Sequence, residues 1–319
     1  MIPALHRVLA ALVFFAAGLA CAQTYPNHTI KLVVPYGPGS SPDSVGRIVA
    51  QEMQPALGQP VIVANIAGAL ANVGTAEVAR SAPDGYTILL TTNTPHAANV
   101  ALFKSLPFDP IKDFSPIVRL ITTSMVLLVR SDFPASNLQE FIAHAKSKQD
   151  GLKAGYGSAA TIVSIAKLRT AAGFKTLDVA YKSVPNAITD VLGGQVDFTL
   201  GDFAVSMPQI RGGRMKGMGV TSPQRTPLAP DLPAIAETVP GFETRIWYGL
   251  VAPANTPKAV VNKVHDVVAA SLAKPEVRSK LGNLGLEPAP MPPDEFAAFI
   301  KQEIAKWTKE IREAGIQPE

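Results

Sequence analysis

At 319 residues, 47% hydrophobic and 17% charged, the chain is long enough for two ordinary domains and too apolar to be disordered. A net charge of +4, without Lys or Arg clusters, excludes the footprint of a nucleic-acid binder, while a mild positive field still favours small anions. The single cysteine, Cys21, excludes a disulfide framework and a Cys-based metal site.

The start reads as a secretory signal: His6 and Arg7, an apolar run from Val8 to Ala20, and Ala20-Cys21-Ala22 as a cleavage site, with residues 1–22 removed before Gln23. The run is too short to span a bilayer, which needs about 20 residues. An uncleaved anchor is the bland alternative, and Gly18-Leu19-Ala20-Cys21 is a poor lipobox because glycine stands where a large aliphatic belongs. Loss of Arg7 lowers the net charge from +4 to +3, and cleavage removes the cysteine.

Strands and helices then alternate. The apolar run 30–36 predicts a buried strand, 42–57 a helix, 59–66 a second strand, 72–81 a short helix, and 84–92 a turn and third strand. Such a βαβαβ series predicts a mostly parallel sheet flanked by helices. A second series follows: strand 123–132, helix 136–147, strand 152–158, helix 161–172, strand 176–182, helix 185–193 and strand 195–202. The Pro-rich stretch 223–240 reads as a surface connection. Thr256 and Pro257 read as N-cap and first residue of a helix carrying Val260, Val261, Val264, Val267 and Val268, and 294–314 as a closing helix with Phe296, Phe299, Ile300, Ile304, Trp307 and Ile311 at spacings of three and four. The predicted division is 23–122 plus 246–319 for one domain and 123–245 for the other.

The junction VVPYGPGSSPDSVGRIVAQEM (33–53) joins strand to helix through small residues. Ser41 is the expected N-cap and Pro42 the first helical residue, with Val45, Ile48, Val49 and Met53 inward and Gly58 as the stop. Gly37 and Gly39 let the loop turn and expose backbone N–H groups, so the helix start is suited to a carboxylate or phosphate. Such a loop is often only a tight turn; a second copy, AGYGSAATIVSIAKL (154–168), strengthens the anion reading. The strand end TTNTPHAAN (91–99) adds hydroxyls and amides at the same edge, where open α/β sheets bind ligands. Asp43 is either a first-turn acid that favours the helix dipole or a contact to a ligand ammonium or bridging water, and Asp197 and Asp202 invite the same two readings.

Catalytic and metal patterns are not assembled. Around Ser158, GYGSA lacks the second glycine of a nucleophile elbow, and GPGSSP (37–42) ends in proline where a dinucleotide fingerprint has glycine. His28, His96, His144 and His265 show no metal spacing, and His96 is expected to be a surface or capping histidine. No cofactor and no metal are expected.

Taken together, VVPYGPGSSPD, LGQPVIVAN, NVGTAEVARSAPDGYTILL, LPFDPIKDFSPI, YGSA, DVLGGQVDF, GVTSPQRTPLAPDLPAIAE, WYGLVAPANTPKAVV and the closing EFAAFIKQEIAKWTKEIREAGI resemble the Bug-type receptors, or TctC family. These are the extracytoplasmic solute-binding proteins of tripartite tricarboxylate transporters. The resemblance implies a two-domain type II periplasmic binding fold, a Venus flytrap, and a monomeric, periplasmic, non-catalytic protein. It would pass a small carboxylate, held by loop N–H groups and waters, to a two-subunit membrane transporter. A membrane sensor is the alternative partner, and a hydrolase using Ser158 the alternative function. The resemblance maps the ligand-binding loops onto Pro35, Tyr36, Gly37, Pro38, Gly39, Ser40, Ser41, Asp43, Thr91, Thr92, Asn93, Gly157 and Ser158, and Ala159 and Asp202 are expected beside them. Departures bear on the ligand: Gly-Pro-Gly-Ser replaces the family's usual Pro-Ala-Gly-Gly, NIAGALAN lacks its arginine and double glycine, and SAATIV is a shorter, more apolar second loop. A dicarboxylate or aromatic carboxylate is the expected ligand, and the apolar wall favours an aromatic or longer aliphatic carboxylate over citrate or aspartate, since apolar contact contributes about 25 cal/mol per Å².

Overall fold

The computed structural model describes residues 25–318, so the expected signal lies outside the described residues. Strand β1 (Ile30–Val34) lies between β2 (Val61–Asn65) and β3 (Thr87–Thr92), parallel to both, and this two-sided burial is why its sequence is nearly all aliphatic. It ends two residues earlier than the apolar run suggests, because Pro35 has no N–H to continue the ladder. Helix α1 (Ser41–Leu57) covers the sheet with Val45, Val49 and Met53, and Gly58 at φ 69° stops it by donating its N–H to Gln54 O. Gly46 lets α1 approach closely: a Cβ there would stand 2.9 Å from Val34 Cγ2.

After α2 (Asn72–Ala79), β3 runs into a π-turn (Thr94–Ala98) and the short α3 (Asn99–Leu102). Strand β4 (Phe114–Thr123) belongs to this first sheet, and only Ser124 separates it from β5 (Met125–Arg130) in the second. The second sheet adds β6 (Leu152–Tyr156), β7 (Thr176–Ala180), β8 (Phe198–Asp202) and β9 (Met215–Val220). Its helices are α4 (Leu138–Ser147), α5 (Ala159–Ala172), α6 (Val184–Leu192) and α7 (Phe203–Arg211). The chain returns through 221–245 to β10 (Ile246–Pro253) in the first sheet, then α8 (Lys258–Ala273), α9 (Pro275–Asn283), β11 (Glu287–Met291) and α10 (Pro293–Glu313).

The first sheet has the order β11-β4-β10-β3-β1-β2 and the second β7-β6-β8-β5-β9. The parallel cores expected from sequence, β2-β1-β3 and β7-β6-β8, are present. Antiparallel strands complete each sheet, so both are mixed rather than mostly parallel. Physically, β4, β5, β9 and β10 flank the two crossings between sheets, and a strand entering from the other sheet need not follow the right-handed βαβ path. Thr221 ties the crossings together: its Oγ1 accepts from Met125 N at 2.8 Å and donates to Thr244 O at 2.7 Å, and its N–H bonds to Met125 O at 2.8 Å.

The closing helix buries Phe296, Ile300, Trp307 and Ile311 with Phe299 and Ile304 half-buried, as its spacing predicts. Buried Glu303 accepts from both Trp247 Nε1 (2.9 Å) and Trp307 Nε1 (3.0 Å), which satisfies two indoles in the core with one carboxylate. The helix expected from Thr256 starts at Lys258; the Thr256 hydroxyl donates back to Pro253 O instead of capping, and Pro257 takes the cap position.

Candidate functional site

The ends of β1, β3, β6 and β8 converge where the two sheets face each other, and they enclose a cavity of about 40 Å³. That is room for roughly three waters. Its wall includes Tyr36, Ser40, Thr92, Asn93, Gly157, Ser158 and Asp202, all expected from sequence. Sequence reasoning missed Pro42, Thr94, Met125, Ala160, Thr161, Val184, Val205, Ile246 and Tyr248. Several of these stand one or two positions beyond expected residues, and the strand-loop-helix pattern could have found them. Met125, Ile246 and Tyr248 come from β5 and β10, the strands beside the two crossings.

The first loop folds on itself. Ser40, not Ser41, is the N-cap of α1: its Oγ accepts from Asp43 N at 3.3 Å, while the Ser41 hydroxyl donates to Asp202 on the opposite sheet. Two adjacent serines compete for one cap, and the cross-cleft bond decides between them. Asp43 does not face the cavity. Its carboxylate accepts from Gly39 N (2.9 Å), Asn65 Nδ2 (2.9 Å) and Arg47 Nε (3.1 Å), so the Gly39 amide expected to be exposed is already bonded. Burial pushes Asp43 up, but the hydrogen bonds from Arg47, Gly39 and Asn65 outweigh it and hold the carboxyl below its usual range. Gly37, Pro38 and Gly39 stand outside the cavity wall; Gly39 lines a groove beside α6 and α7.

The second loop is open. Ser158 caps α5, accepting from Thr161 N at 3.2 Å and meeting Thr161 Oγ1 at 3.0 Å. The first intrahelical bond is Ile162 N to Ser158 O, so the amides of Ala159 and Ala160 precede the helical ladder, at its positive end. Ala159 itself is buried off the cavity. Gly157 is obligatory, because a Cβ would stand 2.2 Å from Ser183 C and 2.4 Å from Val184 N.

The strand end beneath the first loop is mostly internal. Tyr36 OH bonds Thr92 Oγ1 at 2.7 Å, and burial pushes the Tyr36 phenol up to about 12. Thr91 turns away from the cavity to His96 Nδ1 at 2.6 Å. His96 is not a surface residue: it is fully buried, edge-on to Phe114, and burial pushes its imidazole down to about 3. The sequence pattern around it is polar, but the π-turn after β3 folds it under the sheet. Asp197 is remote from the cavity wall and holds Lys153 N at 2.7 Å.

Asp202, at the end of β8, accepts from Ser41 Oγ and from Tyr248 OH at 2.5 Å, both donors belonging to the first sheet's side. Burial raises its carboxyl above the ordinary value against the lowering effect of these bonds, and burial likewise raises Tyr248. Among the described residues no group of three or more His, Cys, Asp or Glu could hold a metal, and no helix is long and apolar enough to cross a membrane.

The model of the tripartite tricarboxylate transporter family receptor, TctC, matches residues 45–316. The solved structure of the periplasmic binding protein BugD superposes with a TM-score of 0.89 at 34% identity, covering 92% of this chain and 100% of that one. MatC (Rpa3494) from Rhodopseudomonas palustris with bound malate gives a TM-score of 0.84 at 31% identity, covering 90% of this chain and 100% of that one. R. palustris Rpa4515 with adipate gives 0.90 at 30% identity, covering 92% and 100%.

Proposed function

Because the chain belongs to the tripartite tricarboxylate transporter receptor family, we propose that it is a periplasmic solute-binding protein that captures a small carboxylate between two lobes. The lobes are residues 23–122 with 246–319, and 123–245. They open about the paired crossings at Ser124 and 221–245 and close on the ligand, and the closed form is what a two-subunit membrane transporter reads. One observation carries this reading: the cavity is walled jointly by strand ends and helix starts of both sheets, so any occupant bridges them.

The grip comes from the capped start of α5 and the hydroxyls of Ser40 and Thr92, together with the Asn93 amide. Pro42, Met125, Val184, Val205 and Ile246 supply an apolar wall, which suits a dicarboxylate or aromatic carboxylate with a carbon body against that wall. Malate and adipate in the related structures belong to the same chemical class. The protein binds its ligand without turnover: the Ser158 hydroxyl, the nucleophile a hydrolase would use, is committed to Thr161.

A thermal-shift screen of the purified protein against aliphatic and aromatic mono- and dicarboxylates, with phosphate esters as controls, tests the proposal. A rise of several degrees confined to carboxylates, with the ligand recovered unchanged, is expected. A rise with phosphate esters alone, or conversion of the ligand, overturns it.

A further inference from the structure

The cavity wall contains no Lys, Arg or His, yet it contains Asp202. A carboxylate offers about four acceptor sites. Ser41 Oγ, Tyr248 OH and the Val205 amide account for three, which leaves acceptor capacity on a carboxyl that lines the cavity. Elsewhere in the same wall, Asn93 Nδ2 has no hydrogen-bond partner although the residue is only 2% exposed. A buried donor without a partner is costly unless an occupant supplies the acceptor. The cavity therefore presents a free donor at one place and an acceptor with spare capacity at another. A plain dicarboxylate answers the first but brings no donor to the second, so the buried acceptor stays unmatched.

We infer that Asp202 is a specificity-determining residue that makes the cavity favour carboxylates carrying a hydrogen-bond donor on their carbon chain, an ammonium or a hydroxyl, over plain dicarboxylates of the same length. The inference rests on the carboxylate-binding reading of this site. Asp202 takes the donor, Asn93 and the α5 start take the carboxylate, and the apolar wall takes the chain between them. The bonds of Asp202 to Ser41 and Tyr248 fix its orientation across the closed cleft, so selection and closure involve the same side chain.

Calorimetric titration with matched sets tests this: succinate against malate and aspartate, and adipate against 2-aminoadipate, for the wild-type protein and for Asp202→Asn. In the wild type the donor-bearing member is expected to bind about 10- to 100-fold more tightly, and in Asp202→Asn that ratio is expected to fall to about threefold or less. The hydroxyl and ammonium arms show which donor the site takes. Equal or tighter wild-type binding of the plain dicarboxylate overturns the inference and would mean that Asp202 is protonated and donates. Equal weakening of every ligand in Asp202→Asn also overturns it and would leave Asp202 as a cross-cleft tie alone. Should Asp202→Asn fail to fold, as circular dichroism would report, the wild-type ratios decide. Binding of carboxylates without a donor preference removes only this inference, whereas silence toward every carboxylate removes the carboxylate reading and this inference with it.

Discussion

The two loops that face each other across the cleft share a plan, strand end, small residues, serine cap and helix, but they are finished differently. The first, between β1 and α1, carries its own anion: Asp43 occupies the Gly39 amide and is balanced by Arg47 and Asn65. The second, between β6 and α5, carries none, and its first-turn amides remain at the positive end of the helix. A strand-loop-helix junction is thus an anion site only if its own sequence does not fill it. On the proposed carboxylate reading, the second is the better anchor of the pair, because its first-turn amides are not filled by a side chain of its own loop.

Acid should separate the two sides most strongly. On the first sheet's side, His96 is held neutral by burial and pushed down to about 3, so below pH 6.5 the unfolded chain binds a proton that the folded chain refuses. Stability contributed by neutral His96 is complete above pH 6.5 and is lost progressively as pH falls toward 3, on the order of 4 kcal/mol in all. The lowered carboxyl of Asp43 acts in the same direction at the acid end, its contribution being lost as pH falls through its folded value. Urea unfolding across this range is expected to be less pH-dependent in His96→Gln, although that variant is less stable at neutral pH; an unchanged slope would break the assignment.

Glycine substitutions come next. Gly157→Ala drives a methyl into the backbone of Ser183 and Val184 and should destabilise by about 3 kcal/mol. Gly39→Ala meets no atom within 4 Å and bears only its φ of 79°, about 1 kcal/mol. Equal effects in chemical denaturation would contradict the contrast between Gly157, pressed against Ser183 and Val184, and Gly39, which meets nothing within 4 Å.

The smallest effect concerns Ser158. Ser158→Ala removes a cap worth about 1 kcal/mol. It should weaken carboxylate binding less than about tenfold if the amides of α5 carry the grip, since one neutral hydrogen bond contributes about 1 kcal/mol. A loss well beyond that, measured by titration, would transfer the anchor from the backbone to the hydroxyl.

Much of this architecture was legible in the residues. Aliphatic runs mark β1 to β3 and β6 to β8, and threefold and fourfold spacing marks α1, α8 and α10, because burial on one face repeats with the period of the element. Two loops of the same grammar could be paired as a candidate site for the same reason. Left unread were β4, α7, β9, β10, α9 and β11, elements that depend on partners far along the chain. The directions of single side chains were equally out of reach: Ser41 turns from cap to cross-cleft donor, Asp43 inward to its own loop, Thr91 and His96 under the sheet. Sequence by itself determined the local periodicities and the chemistry available at the strand ends, since both are set by neighbours a few residues away. Only the tertiary structure decided which groups face the cavity and which hold one another, because hydrogen bonds such as Asp202 to Ser41 and Tyr248 join residues that the chain does not bring close.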